Sequence, residues 1–307
     1  MRKKTNTIGL IAAATLFAMM SLGSGSTNSA VQKNITVNNT ETAESKTEAG
    51  GSVLDEKSND TEVSIEEQVL IDDGEIKLTA VEYVKDSIWG DGIKLLIENN
   101  GTSDVGIGCD ALIVNDYMIT DLFSSQVAAG KKDYETLNLS NSQLQAAGID
   151  NVGKIELYLH CYDSDTYMTT KKYDGVTIRT SLYDHMDVIA NDAGQELYNE
   201  GGVKIVGKYV DESSFWGAAV LLYIENNSGR NIIVQCDDMS INGFMMTPYF
   251  SANVYDGKKA IDDITLMSSE LESNNIQSID DIELKFKIID ENFSTIAESS
   301  TISFSAH

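Results

Sequence analysis

Three histidines, three cysteines and two tryptophans are the scarcest side chains able to do chemistry in this 307-residue chain. A Ser-His-Asp triad or a multi-His metal site needs imidazoles held in a fixed frame. His160, His185 and His307 have none, because not one of them recurs where the chain repeats itself. Carboxylates are abundant: 48 acidic residues against 22 basic ones give a formal charge of -26. A pair of them would suit a glycosidase, but that reaction takes place in a deep cleft, which small β domains seldom provide. Carboxylates are also hard ligands for calcium, yet no D-x-[DN]-x-[DN]-G loop is present, and Asp163-Ser164-Asp165 is not matched in the second repeat. The expectation is a chain without catalytic residues, metal or cofactor. Trp89, Tyr117, Trp216 and Phe244 remain as candidate binding residues, because an aromatic ring in a loop stacks on a sugar or anchors a protein partner. Each could equally plug a core. The repeated Gly130-Lys131-Lys132 and Gly257-Lys258-Lys259 are too short for a phosphate loop and read as solvated turns.

The ends of the chain bound where such residues work. Arg2, Lys3 and Lys4 precede an apolar run from Ile8 to Gly23 and then small residues, so residues 1–30 read as a secretory signal peptide. Ser24, not Cys, follows Gly23, so lipid anchoring is not supported. Cleavage would leave no transmembrane segment, and the protein is expected to be secreted or associated with a bacterial cell surface or wall. The acidic balance repels nucleic acid and anionic lipid and otherwise reads as solubility. Residues 31–68, rich in Thr, Ser, Glu and Asn, read as a disordered acidic linker.

The tetrapeptide Ile97-Glu98-Asn99-Asn100 returns at Ile224-Glu225-Asn226-Asn227, and a shift of 127 aligns residues 74–163 with 201–290 without a gap, 29 of the 90 pairs being identical. A period this long means tandem domains, not a solenoid. The division predicted is domain 1 over 69–181, an interdomain linker over 182–195 and domain 2 over 196–307. Limited proteolysis should then leave two cores.

The apolar period within each copy is two. Ile155, Leu157, Leu159 and Cys161 alternate with polar neighbours, as do Ile282, Leu284, Phe286 and Ile288. Further strands are predicted at 76–83, 93–98, 105–114, 122–127, 134–139 and 176–178, about seven per copy. Asn115-Asp116 and Asn242-Gly243 mark tight hairpins. In this reading the repeated tetrapeptide closes a strand, with Ile inward, Glu outward and two Asn opening a turn. Helices are expected at 142–147 and 269–274, capped by Gly148 and Asn275 in the left-handed conformation. A change of parity after Cys109 and Cys236 predicts a β-bulge near Asp110 and Asp237. All three cysteines are expected as reduced, core-facing thiols, since Ile288 fills in one copy the position of Cys161 in the other.

The fold class predicted is all-β, two tandem immunoglobulin-like β-sandwich domains, each with one short helix. The motifs Trp-Gly, Ile-Glu-Asn-Asn, Val-Asn-x-Tyr-Met, Phe-Ser, Gly-Lys-Lys and Ile-Glu-Leu resemble the tandem immunoglobulin-like domains of unknown function in secreted proteins and lipoproteins of gut Firmicutes. That resemblance spans about 68–305 and implies export and surface exposure without an assigned activity. Two functions follow as expectations. One is a non-catalytic exported surface protein that binds an extracellular protein or glycan. The alternative is a structural spacer without a specific ligand, and a secreted hydrolase is a distant third.

Overall fold

A computed structural model of the protein describes residues 62–305 apart from 88–89, 121–122, 189, 213 and 215. The signal peptide and almost all of the linker expected before residue 68 lie outside the described residues, as do Trp89 and His307. No described helix is long and apolar enough to cross a membrane.

Repeat 1 holds β1 (Gln68–Asp72), β2 (Ile76–Ser87), β3 (Gly90–Asn99), β4 (Val105–Val114), β5 (Tyr117–Ile119), β6 (Ser124–Val127), β7 (Lys132–Asn138), α1 (Asn141–Ala147), β8 (Lys154–Asp163) and β9 (Thr169–Arg179). After a short 3-10 turn at Tyr183–His185, repeat 2 holds β10 (Gln195–Glu200), β11 (Val203–Asp211), β12 (Gly217–Asn226), β13 (Ile232–Ile241), β14 (Phe244–Met245), β15 (Ser251–Val254), β16 (Lys258–Met267), α2 (Ser268–Ser273), β17 (Asp281–Ile289), β18 (Thr295–Glu298) and β19 (Ile302–Ser305). The fold is all-β, as the alternating pattern required. In each repeat the chain leaving the third strand crosses to the opposite sheet, where the fourth lies. The later strand β7 or β16 crosses back to pair with β3 or β12. This is the Greek-key connection of an immunoglobulin-like sandwich.

Local chemistry accounts for the connections. Asn115 and Asp116 (φ 47° and 71°) and Asn242 and Gly243 (φ 50° and 82°) give both hairpins the positive φ pair of a tight two-residue turn. Gly148 and Asn275 end the two helices at φ 74° and 55°, and the N–H groups of Ile149 and Ile276 reach back to the carbonyls of Leu144 and Leu271, both at 2.9 Å. The bulges fall where parity changes. One extra residue, Asp110, stands between the pairs Cys109–Leu159 and Ala111–Tyr158, and the second register shift lies between Asp237 and Ser240.

The repeated tetrapeptide departs from its sequence reading. Glu98 is buried, not outward, and carries an ion pair to Lys132 and a longer one of 3.8 Å to Lys77 on the flanking strands. Lys132 therefore serves a cross-strand bridge and is not merely part of a solvated turn. Asn99 and Asn226 do not simply open a turn. Each is fully buried, and its amide spans two carbonyls: Ser103 and Val127 at 2.9 Å for Asn99, Arg230 and Val254 at 2.8 Å for Asn226. The pattern recurs because the same buried latch closes both sandwiches.

The folded region also starts before the first strand. Val63 and Ile65 pack against the core of repeat 1, the Ser181 N–H donates to the Ser64 carbonyl at 2.8 Å, and the Ser64 N–H donates to the Ser181 hydroxyl at 3.1 Å.

The repeats share a sheet. β16 pairs in parallel with β5 through Lys259–Tyr117 and Ala260–Met118, so β10-β11-β12-β16 of repeat 2 runs on into β5-β4-β8-β9 of repeat 1. One face of the joint sheet lies in the core of repeat 1, where Val206, Ala219, Leu221, Tyr223 and Ile261 join Leu112 and Val114. The other lies in the core of repeat 2, where Ala111, Ile113 and Met118 join Val220, Leu222 and Ile264. Double coverage explains why β12 is buried over seven consecutive residues, Ala218–Ile224, whereas its counterpart β3 alternates. The stretch between the repeats is strapped at both ends. Asp187 accepts the N–H of Asn151 at 2.7 Å, and Lys208 donates to the carbonyl of Asn191 at 2.8 Å.

Candidate functional site

Shared geometry gives the two copies of one edge opposite fates. In repeat 1, β5 is the edge that meets β16. Tyr117 is only 1% exposed, its hydroxyl oxygen accepts the N–H of Asn191 at 2.9 Å, and its ring lies edge-on to Tyr223, centroids 6.4 Å apart. As a candidate binding residue it is corrected to a core residue, because the parallel pairing that joins the repeats covers it. Lys259, at the second repeated turn, stands 5.5 Å over that ring.

In repeat 2 the matching edge is open. Phe244, the counterpart of Tyr117, is 48% exposed, and Met245 is 66% exposed. The chain then runs along α2: Asn274 reaches the Met246 sulfur, the Thr247 N–H is held by the Glu270 carboxylate at 3.1 Å, and Tyr249 bridges Thr265. Trp216, 44% exposed like Tyr249, accepts the Ser268 N–H at the start of α2 with its carbonyl, at 2.9 Å. Four large apolar side chains of repeat 2, Trp216, Phe244, Met245 and Tyr249, thus stand exposed on segments whose backbone leads to or runs along this short helix. Trp216 and Phe244 were named from sequence. Met245 and Tyr249 were missed, since their exposure depends on which edge the other repeat covers.

The junction brings two carboxylates together with polar partners. The Thr120 hydroxyl donates to Asp262 at 2.7 Å, and Gln143 donates to Thr120 at 2.7 Å and to Asp263 at 3.2 Å. Burial pushes the Asp262 carboxyl up to about 6, aided by the adjacent Asp263 charge and opposed by the Thr120 hydroxyl. Asp263 is likewise raised by burial. Beside this group is a pocket of about 190 Å³ lined by Asp110, Thr120, Asn253 and Asp262 among others. A second, of about 260 Å³, lies by β10 and β18. Both fall below the ~300–1,000 Å³ usual for small-molecule sites. The only described histidine near a carboxylate is His160, whose Nδ1 is 2.7 Å from Asp110. Among the described residues no three His, Cys, Asp or Glu side chains are grouped to hold a metal ion.

Comparison with known proteins adds little. No family model matches the chain, and neither does any characterised protein. Among solved structures, a protein of unknown function from Porphyromonas gingivalis W83 aligns over 75% of this chain and 98% of its own, at 11% identity and a TM-score of 0.19. A likeness that weak carries no argument. None of these findings supports the affiliation with gut Firmicutes.

Proposed function

We propose that the protein is a non-catalytic exported surface protein that binds through the end of repeat 2. The observation that carries this reading is the asymmetry of one edge: the position of Tyr117 and Met118 is buried in repeat 1, while Phe244 and Met245 stand exposed in repeat 2, as Trp216 and Tyr249 do. Contiguous apolar surface on a soluble protein marks an interaction site more often than chance exposure does. Aromatic rings flanked by Thr247 and Glu270 suit an extracellular protein or a glycan, which both offer apolar faces edged by hydrogen-bonding groups. Export and surface placement rest on the leader at 1–30 and on the motifs that resemble secreted tandem domains. The test is binding to a glycan array and to purified envelope proteins, wild type against Trp216→Ala combined with Phe244→Ala. Capture by the wild type that the double variant loses supports the reading, and equal capture by both moves the site elsewhere.

A structural spacer is favoured by one separate observation. The sheet continuous from β10 to β9 makes the two repeats a single body instead of beads on a string. Retention in the wall without any ligand would favour that role.

A further inference from the structure

The junction between the repeats shows what the exposed end of repeat 2 is built to meet. Within the chain, the edge at Tyr117–Thr120 docks on β16. A shift of 127 residues carries the first partner to Phe244–Thr247, where Phe244, Met245 and Thr247 are exposed and Met246 is buried, and the second to β7, the outer strand of the sheet β1-β2-β3-β7. Each chain therefore displays both halves of a contact that it already makes once internally. We infer that the end of repeat 2 binds the β7 edge of a second copy of this chain, head to tail, an inference that rests on reading that end as a binding surface.

The side chains at the equivalent positions keep the chemistry. Lys259 over the Tyr117 ring becomes Lys132 facing Phe244, again a cation beside an aromatic ring. The Thr120 hydroxyl on Asp262 becomes Thr247 facing Glu135. Tyr223 against Tyr117 becomes half-buried Leu96 facing Phe244. The fourth pair exchanges roles as a unit: Gln143 donates to Asp263, whereas Thr136 would donate to Glu270. Other positions are more polar than in the junction. Leu221 and Ile261 are replaced by Lys94 and Tyr134, and Ala146 and Ala147 by Ser273 and Asn274. The contact between chains is accordingly weaker than the internal one, whose partners are held at high effective concentration by the connecting chain. A contact between two different surfaces does not complete itself in a two-fold dimer, so copies add in series. An open strand edge is the usual template for such addition.

Sedimentation velocity of the full-length protein, over a concentration series reaching about 100 µM, tests this. The wild type should show species beyond the dimer as concentration rises. Phe244→Lys, which sets like charge against Lys132, and Thr136→Glu, which does so against Glu270, should each weaken association at least about tenfold. An equimolar mixture of the two variants should form a dimer and stop there, because each supplies the end that the other lacks. Tyr134→Glu, exposed on the same edge, replaces Thr136→Glu if that variant alters the unfolding temperature. A wild type that stays monomeric throughout overturns the proposal. So does association that the β7 variants leave unchanged, which would mean patch-to-patch contact instead. If the wild type is monomeric but the double variant Trp216→Ala, Phe244→Ala still abolishes capture of a glycan or envelope protein, the binding reading stands and only the occupant is wrong.

Discussion

At the scale of single residues, a buried amide and a half-buried carboxylate contribute in opposite directions. Asn226 satisfies the carbonyls of Arg230 and Val254 with its two amide protons, and its oxygen accepts the N–H and hydroxyl of Ser228. Asn226→Ala leaves those buried groups without partners and should destabilise the protein by about 2–4 kcal/mol in denaturant unfolding. A loss below about 1 kcal/mol would show that water replaces the latch. Asn226→Asp should cost more at neutral pH, because it aims a carboxylate at two carbonyl oxygens. Asp262 works against the fold. Its folded pKa of about 6 lies above the ordinary 3.8, so the charged form is disfavoured in the native state. Its contribution to stability is complete below the unfolded value and is lost as pH rises through about 6. Asp262→Asn, which can still accept from Thr120, should therefore raise stability by about 1–3 kcal/mol at pH 7 and leave it unchanged near pH 3.5. Equal gains at both pH values would remove burial of this charge as the cause.

Elements follow from pattern wherever the pattern is local. The Asn-Asp and Asn-Gly hairpins, the left-handed caps at Gly148 and Asn275 and the bulge at Asp110 were legible because a few residues decide each. The parity change at Asp110 is also what turns Ala111 and Ile113 toward repeat 2, so a local signal carried information about docking. Register settles the thiols in the same way. Cys161 lies opposite Ile107 and Cys109 opposite Leu159, which sets the two cysteines diagonally on neighbouring strands, about 7–8 Å apart. A disulfide needs Cα atoms within about 6.8 Å. Sequence reasoning expected reduced thiols only because Ile288 stands in for Cys161 in the other repeat. The structure puts them two residues out of register on one sheet. Mass spectrometry of the unfolded, non-reduced protein after alkylation should therefore find all three cysteines labelled. A linked Cys109–Cys161 peptide would mean that β4 and β8 pair in another register. Strand β9 was foreseen only over 176–178, since its earlier half alternates among exposed residues with no apolar face to announce it.

At the scale of the whole molecule, the duplication was legible but its consequence was not. An alignment of the copies rewards what they share, and docking depends on how they differ. The signal was present in β12, where Ala218–Ile224 is apolar throughout while the matching stretch of β3 reads Asp91-Gly-Ile-Lys-Leu-Leu-Ile97. An unbroken apolar strand is covered on both faces, and a single small sandwich can cover only one. The second cover is repeat 1. Two protease-resistant cores, expected from sequence, would require cleavage between bodies that instead share a sheet and two mixed cores. Limited proteolysis should yield one fragment beginning near residue 62, and thermal unfolding should show one transition, because separating the repeats exposes Val206, Ala219, Leu221, Tyr223 and Ile261 together. Repeat 2 expressed alone from residue 191 should for the same reason aggregate or bind a hydrophobic dye. Ala219→Lys with Leu221→Lys, the residue that β3 carries at the second position, should restore its solubility. In the full-length chain the same pair buries two ammonium groups and should separate the transitions. Two resolved transitions in the wild type, or a soluble isolated repeat 2 without substitution, would show that the joint sheet contributes little to holding the molecule together.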